Sequence, residues 1–222
     1  MDSQFIVRQP TYMGTWYSDD SDFLQKQMEN FIKNVDPKIK KDNLRAMIVP
    51  HAGYKYSGQT AAYSYASIKG NHIKTIFIIA PLHHLKAKGC LLPECSVYKT
   101  QFYDLTVDQD ILQDIALRGT FQVIPALHDE NEHSGELQLN YIAYVMKGFN
   151  FKIVPIYVGH LNDYDIEHYT SILSPYLSDK HNLFVVSSDF CHYGSCYNYE
   201  PFNNRFNVDE CIRQLDQDVT II

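Results

Sequence analysis

The feature that most constrains the fold of this chain is a pair of short, continuous apolar segments. Residues 74–80 read KTIFIIA and residues 183–188 read LFVVSS, and neither alternates polar with apolar side chains. Continuous hydrophobicity of this kind is typical of strands buried on both faces, as in parallel sheets covered by helices. The two segments therefore predict an α/β fold built around a largely parallel sheet.

The rest of the chain extends this pattern. Further short β-rich runs predict strands at 44–49, 121–124 and 151–158. Apolar residues at helical spacing predict helices at 21–35, 57–68, 107–117, 134–147 and 163–177. Strands that alternate with helices indicate one layered α/β domain over residues 1–222, with a mainly parallel or mixed central sheet flanked by helices.

Two segments depart from the alternation of strands and helices. Residues 90–106 contain Pro93 and two short β-like runs, and they are predicted to form an inserted hairpin. Residues 205–222 are predicted to open a final helix, although the chain ends on the apolar stretch DVTII. Globular chains more often end in polar residues, so we expect a fold interrupted before its last elements.

Charge and cysteine content exclude several classes of protein. The net charge of −7, without a large cluster of Lys and Arg, argues against a nucleic acid as the main partner. The N-terminus does not resemble a signal peptide, and no apolar run reaches the length of a membrane span. The five cysteines match neither a zinc ribbon nor a disulfide framework. We expect reduced thiols in a cytoplasmic protein, with the nucleus as a second compartment.

Histidines follow three of the predicted strands at similar offsets. His51 follows the strand at 44–49, His83 follows the strand at 74–80, and Asp189 and His192 follow the strand at 183–188. The carboxyl ends of parallel strands meet at one edge of a sheet, where ligands of α/β proteins bind. Imidazoles that meet there favour a metal site or general acid–base chemistry.

A structural interpretation remains open for each of these residues taken singly. His51 or His83 could end its strand with a hydrogen bond to the backbone, and Asp189 could cap a helix, a role that Asp favours. Neither a P-loop, nor a GxSxG elbow, nor an HExxH motif occurs in the chain. A shared site explains the grouping of the histidines better than three separate structural roles.

Five sequence blocks, in their order and spacing, resemble the Memo family (mediator of cell motility). They are MGTWY at 13–17, PHAGYKYSG at 50–58, PLHH at 81–84, DENEHSGEL at 129–137 and LFVVSSDFCHYG at 183–194. The resemblance runs from about residue 6 to the end of the chain. The family is similar to the class III extradiol ring-cleavage dioxygenases, which are non-haem iron enzymes, so the resemblance implies a fold of that type.

The resemblance also implies roles for particular residues. It places His51 and His83 as metal ligands, and Asp189 and His192 as catalytic residues, with His192 as the acid–base group. His133 of the EHS element is implied to bind the cofactor, as is Glu136. The family's third metal ligand is a cysteine in a C-terminal segment that this chain lacks. Gln138 and Asn140 also stand where the family pattern E-x-H-x-P-Y has His and Pro.

Three functional hypotheses follow. The first is a metal-dependent, dioxygenase-like protein that binds one iron or copper ion and supports redox chemistry linked to cell motility signalling. The second is a non-catalytic binding module that recognises phosphotyrosine peptides, cytoskeletal signalling partners or other ligands through the inherited pocket. The third is a truncated product of a Memo-like gene.

Overall fold

The computed structural model describes residues 5–201 and 207–220. The chain divides into two compact units, residues 1–188 and residues 189–222, and each is described by itself. The prediction of one domain stays a prediction. Among the described residues, no helix has the length and apolar character needed to cross a bilayer.

The first unit is a central sheet of six strands flanked by helices, so the predicted α/β fold class is confirmed. Its strands are β2 (Ala46–Val49), β3 (Thr75–Pro81), β4 (Cys90–Pro93), β7 (Gln122–Ile124), β8 (Lys152–Val158) and β9 (Asn182–Ser187). They lie in the order β2-β9-β3-β8-β4-β7. All neighbours pair in parallel except β4 and β8, which are antiparallel. The strand last in sequence, β9, therefore lies between the first two.

A smaller sheet carries the N-terminal segment. It is formed by β1 (Val7–Arg8), β5 (Val97–Tyr98) and β6 (Leu105–Thr106), in the order β1-β5-β6. The antiparallel β5–β6 pair agrees with the hairpin predicted within 90–106. However, β4 from the same segment joins the central sheet. Its four residues are all buried, so pairing with β7 and β8 places its apolar side chains in the core.

Five of the six helices of the first unit agree with the predicted segments to within a few residues, whereas the short helix α4 was not predicted. They are α1 (Ser21–Lys33), α2 (Tyr54–Ala66), α3 (Gln109–Arg118), α4 (Ala126–Glu130), α5 (His133–Val145) and α6 (Asp163–Ser178). Helix α2 begins three residues before its predicted start, directly after the N-cap residue Gly53. The amide of its first residue, Tyr54, donates to the Trp16 carbonyl oxygen at 3.0 Å. Helices α2 and α5 pack against the β2, β3 and β9 region, and α6 packs against β9.

The second unit consists of a short segment and one helix. A 3-10 turn spans Ser195–Tyr197, and α7 spans Val208–Thr220, where the sequence predicts a final helix. Within this unit the Cys191 amide donates to the Asp216 carboxylate at 3.1 Å.

Candidate metal centre

Three histidines of the first unit meet near the carboxyl ends of β2 and β3. His51 lies two residues beyond β2 and His83 two residues beyond β3, while His133 is the first residue of α5. The ring centroids are 5.2 Å apart for His51 and His83, 5.4 Å for His51 and His133, and 4.3 Å for His83 and His133. The ends of β2 and β3 thus bring His51 and His83 together at one edge of the sheet.

The three imidazoles have the spacing of a possible metal site. Each offers one ring nitrogen, and these three atoms all lie within 4.8 Å of one another. Nitrogen ligands of a tetrahedral ion, bound at about 2.1 Å, are about 3.4 Å apart, which is inside that limit. Imidazole suits zinc, copper, iron and nickel, so the ligand type alone does not choose among these metals.

Glu132 orients His83. The Glu132 carboxylate accepts hydrogen bonds from Nδ1 of His83 at 2.8 Å, from the His83 amide at 2.5 Å and from the Ser134 amide at 3.0 Å. Burial raises the pKa of Glu132, but the hydrogen bonds from His83 and Ser134 outweigh it and lower this pKa to about 2. An ionised carboxylate only accepts, so Nδ1 of His83 carries the proton and its lone pair is on Nε2.

His133 is a neutral imidazole with an unsatisfied nitrogen. Its Nδ1 is buried and has no hydrogen-bond partner in the described part of the chain. The Glu132 carboxylate lies 3.5 Å away, too far for a hydrogen bond. Burial and the nearby His83 together lower the pKa of His133 to about 4, although Glu132 opposes the shift. A buried nitrogen without a hydrogen-bond partner is energetically costly.

Two aromatic rings from the N-terminal segment pack on His133. The Trp16 ring centroid is 4.5 Å from that of His133, and the Tyr12 centroid is 5.6 Å away. The Tyr12 hydroxyl donates to the Asn131 carbonyl oxygen at 2.6 Å. The two rings form an apolar wall on one side of the imidazole, which strengthens electrostatic interactions within the cluster.

Glu136 holds the N-terminal segment in this position. Its carboxylate accepts hydrogen bonds from Nη1 of Arg8 and the Tyr17 hydroxyl, each at 2.8 Å. It also accepts from the amides of Thr11 and Tyr12, at 3.1 and 2.8 Å. These partners give Glu136 a role in fixing the wall beside His133, whereas its role in cofactor binding stays a prediction.

Arg8 connects this wall to the segment before α5. Its guanidinium donates to the Asp129 carboxylate at 2.7 Å, and to the carbonyl oxygens of Asp129 and Glu132 at 2.8 and 3.1 Å. Burial opposes the charge, but Asp129 and Glu136 hold the pKa of Arg8 well above its usual value. Sequence reasoning missed Arg8 because β1 has two residues, too few for a periodic pattern.

Asp189 and His192 belong to the second unit. Nε2 of His192 lies 3.5 Å from the Asp189 carboxylate, and its Nδ1 lies 3.1 Å from the Phe190 carbonyl oxygen. The His192 side chain is 52% exposed within the structure. The catalytic roles assigned to this pair from the family resemblance stay predictions.

A cleft borders the histidine cluster on the side of His83. It has a volume of 630 Å³, and Lys86, Lys88 and His160 are among the residues that line it. Two lysines at its wall would attract an anionic group that approaches His83. The cleft is large enough for a small ligand.

Comparison with known proteins gives a consistent result. A family model described as Memo-like protein matches residues 8–221. Over 213 residues the chain is 36% identical to "Protein memo-1 homolog" of Caenorhabditis elegans, with 95% of the chain and 60% of that relative covered. Over 220 residues it is 35% identical to "Protein MEMO1" of Homo sapiens and of Rattus norvegicus, with 98% of the chain and 73% of each relative covered. The chain therefore spans 60–73% of the length of these relatives.

Proposed function

The chain belongs to the Memo-like protein family, and we propose that its histidine cluster binds one redox-active metal ion, iron or copper. His51, His83 and His133 would hold the ion. Iron and copper both change oxidation state, so either would supply redox chemistry when bound. We propose that this chemistry serves cell motility signalling, as the family resemblance suggests.

The observation that carries the proposal is the set of three imidazoles, each of which offers one ring nitrogen within 4.8 Å of the other two. His83 is held by an ionised carboxylate that fixes its protonated nitrogen. Histidines that bind metals usually donate their second ring nitrogen to a carboxylate or carbonyl group in this way. His133 would supply a third nitrogen, whereas the resemblance implies a cysteine as the third ligand.

Metal analysis of the purified chain tests this proposal. After incubation with Fe(II) or Cu(II) and gel filtration, we expect about one ion per chain by mass spectrometry of the metal. The double variant His51→Ala with His83→Ala should retain none. His181→Ala is the matched control, because His181 is 45% exposed and hydrogen-bonded to Asp179. A wild-type chain that retains neither metal would refute the metal site.

The proposed catalytic roles of Asp189 and His192 require a separate measurement. If His192 is the acid–base group, His192→Ala should retain the metal and lower metal-dependent oxygen consumption. Retained metal with unchanged oxygen consumption would remove His192 from the proposed chemistry. We also propose a cytoplasmic location, which suits the five free thiols.

A second candidate function is the binding of phosphotyrosine peptides without catalysis. Lys86 and Lys88 at the wall of the 630 Å³ cleft favour it, since a phosphate pairs well with lysine. Fluorescence anisotropy should then detect a phosphotyrosine peptide but not its unphosphorylated form. The double variant Lys86→Ala with Lys88→Ala should lose the signal, and Lys147→Ala should keep it. Binding that is unchanged in the His51→Ala, His83→Ala variant would separate this function from metal binding.

A further inference from the structure

A buried chain of polar side chains lies behind His51. Nδ1 of His51 is 2.8 Å from Oγ of Ser187, the last residue of β9. Ser187 Oγ is in turn 2.8 Å from the Ser134 carbonyl oxygen and 3.1 Å from Nε2 of Gln138. His51, Ser134, Gln138 and Ser187 are each at most 3% exposed. Every hydrogen-bonding group in such a place needs a partner.

The orientation of the Gln138 amide is fixed by its neighbours. Its Nε2 lies 3.2 Å from the Pro50 carbonyl oxygen and 3.3 Å from that of Ser134. Carbonyl oxygens only accept, so the nitrogen must face them. On the other side, Oε1 accepts from the Tyr65 hydroxyl at 2.8 Å. Gln138 therefore presents an N–H donor to Ser187.

The single hydroxyl proton of Ser187 then has only one favourable position. Ser187 Oγ and the Ser134 carbonyl oxygen are 2.8 Å apart, and two oxygens at that distance repel each other unless a proton lies between them. The serine must supply that proton, because a carbonyl oxygen has none. Ser187 Oγ thus accepts from both Gln138 Nε2 and His51 Nδ1. All three contacts are attractive only if His51 carries its proton on Nδ1.

We propose that Gln138 and Ser187 are positioning residues that hold the imidazole of His51 in the Nδ1–H tautomer, with its lone pair on Nε2. Nδ1 is then the hydrogen-bond donor in both His51 and His83, and Nε2 is the ring nitrogen that would bind a metal ion in both. The consequence for metal affinity rests on the proposed metal site, but the tautomer itself does not. Gln138 stands where the family pattern has a histidine, and its amide offers Ser187 a donor whose direction is fixed.

Nitrogen NMR of the metal-free chain tests the tautomer directly. In a sample labelled with 15N-histidine at pH 8, long-range 1H–15N spectra distinguish Nδ1–H from Nε2–H imidazoles. The signals of His51 are assigned by their absence in His51→Gln. We expect His51 to be in the Nδ1–H form. A wild-type His51 with its proton on Nε2 would overturn the proposal.

Two variants of equal size test the role of Ser187. Ser187→Thr keeps the hydroxyl and should keep the Nδ1–H tautomer, whereas Ser187→Val removes it and should give a mixture of tautomers. Both residues favour a strand, so β9 is retained, which circular dichroism checks. In a Cu(II) titration, the valine variant should bind about tenfold more weakly than the threonine variant. A valine variant that keeps the Nδ1–H tautomer would overturn the role of Ser187.

The outcomes separate this inference from the proposed function. A wild-type chain with Nδ1–H His51 that binds neither Cu(II) nor Fe(II) supports the tautomer and refutes the metal site. A chain that binds metal but has Nε2–H His51 in the metal-free state refutes the tautomer and supports the metal site.

Discussion

Replacing the buried Arg8 by methionine should destabilise the protein more than replacing an exposed arginine by methionine. The Arg8 side chain is fully buried between the carboxylates of Asp129 and Glu136. Its hydrogen bonds link the N-terminal segment to the residues before α5. Methionine fills a similar volume but leaves both carboxylates without their cation.

The expected cost follows from those contacts. Removing one partner of a buried ion pair typically costs about 3–5 kcal/mol, because a buried charge is left uncompensated. The Tyr157 hydroxyl still donates to Asp129 at 2.5 Å, and the Tyr17 hydroxyl to Glu136 at 2.8 Å, so the lower half of that range is expected. With a urea m-value of about 2 kcal/mol/M, about 3–4 kcal/mol would lower the midpoint by about 1.5–2 M.

Urea unfolding followed by circular dichroism measures this change. The matched control is Arg118→Met, because Arg118 pairs with Asp114 at 2.8 Å on the surface, where the side chains are 54% and 44% exposed. Exposed pairs contribute at most about 1 kcal/mol. A difference of less than about 1 kcal/mol between the two variants would refute the reasoning.

The cost of Arg8→Met should also depend on pH. Burial already raises the pKa of Asp129 above its usual value of 3.8, even with Arg8 beside it, and the substitution raises it further. When the pKa of a carboxyl is higher in the folded than in the unfolded protein, the folded protein loses stability as pH rises through the folded-state pKa. The destabilisation should therefore be smaller at pH 5 than at pH 8. An equal loss at both values would mean that the carboxylates do not cause it.

Three further predictions concern the histidine cluster and the backbone. Glu132→Gln should weaken Cu(II) binding about tenfold, measured by chelator competition, because an amide no longer fixes the protonated nitrogen of His83. Since the pKa of His133 falls from 6.5 to about 4 on folding, the free energy of unfolding should decrease as pH falls from 6.5 to 4. In urea unfolding across this range, the free energy of unfolding should depend less steeply on pH for His133→Asn than for the wild type. An equally steep dependence would contradict the lowered pKa of His133. Gly159→Ala should cost about 2–3 kcal/mol, since the added Cβ would collide with a backbone carbonyl oxygen. Gly148→Ala, with φ of +87° and open space around it, should cost about 1 kcal/mol, and equal costs in thermal unfolding would refute the clash.

Much of the fold could be predicted from the sequence because β3, β8 and β9 are long apolar strands. The runs at 74–80 and 183–188 correspond to β3 and β9, both almost wholly buried. The segment 90–106 was harder, because β5 and β6 have two residues each. Whether a short apolar run such as β4 joins a hairpin or a central sheet depends on distant partners, which no local pattern contains.

From the residues alone, the sequence predicts only those site residues that directly follow a strand. His51 and His83 follow β2 and β3, so topology alone brings them together. His133 opens a helix rather than following a strand, and its role was predicted only through the family resemblance. The contacts of Glu132, Gln138 and Ser187 depend on side-chain direction and distance. Sequence spacing does not encode these, so their roles became visible only in the structure.

The strand order also has a consequence for how the protein is made. Because β9 lies between β2 and β3, β2 cannot join the rest of the sheet until residues 182–187 have left the ribosome. Until then, the segments that carry His51 and His83 have no common strand between them, and the backbone edges of β2 and β3 that pair with β9 remain open to other chains. The same strand supplies Ser187, so the pairing of β2 with the sheet and the orientation of His51 depend on one segment.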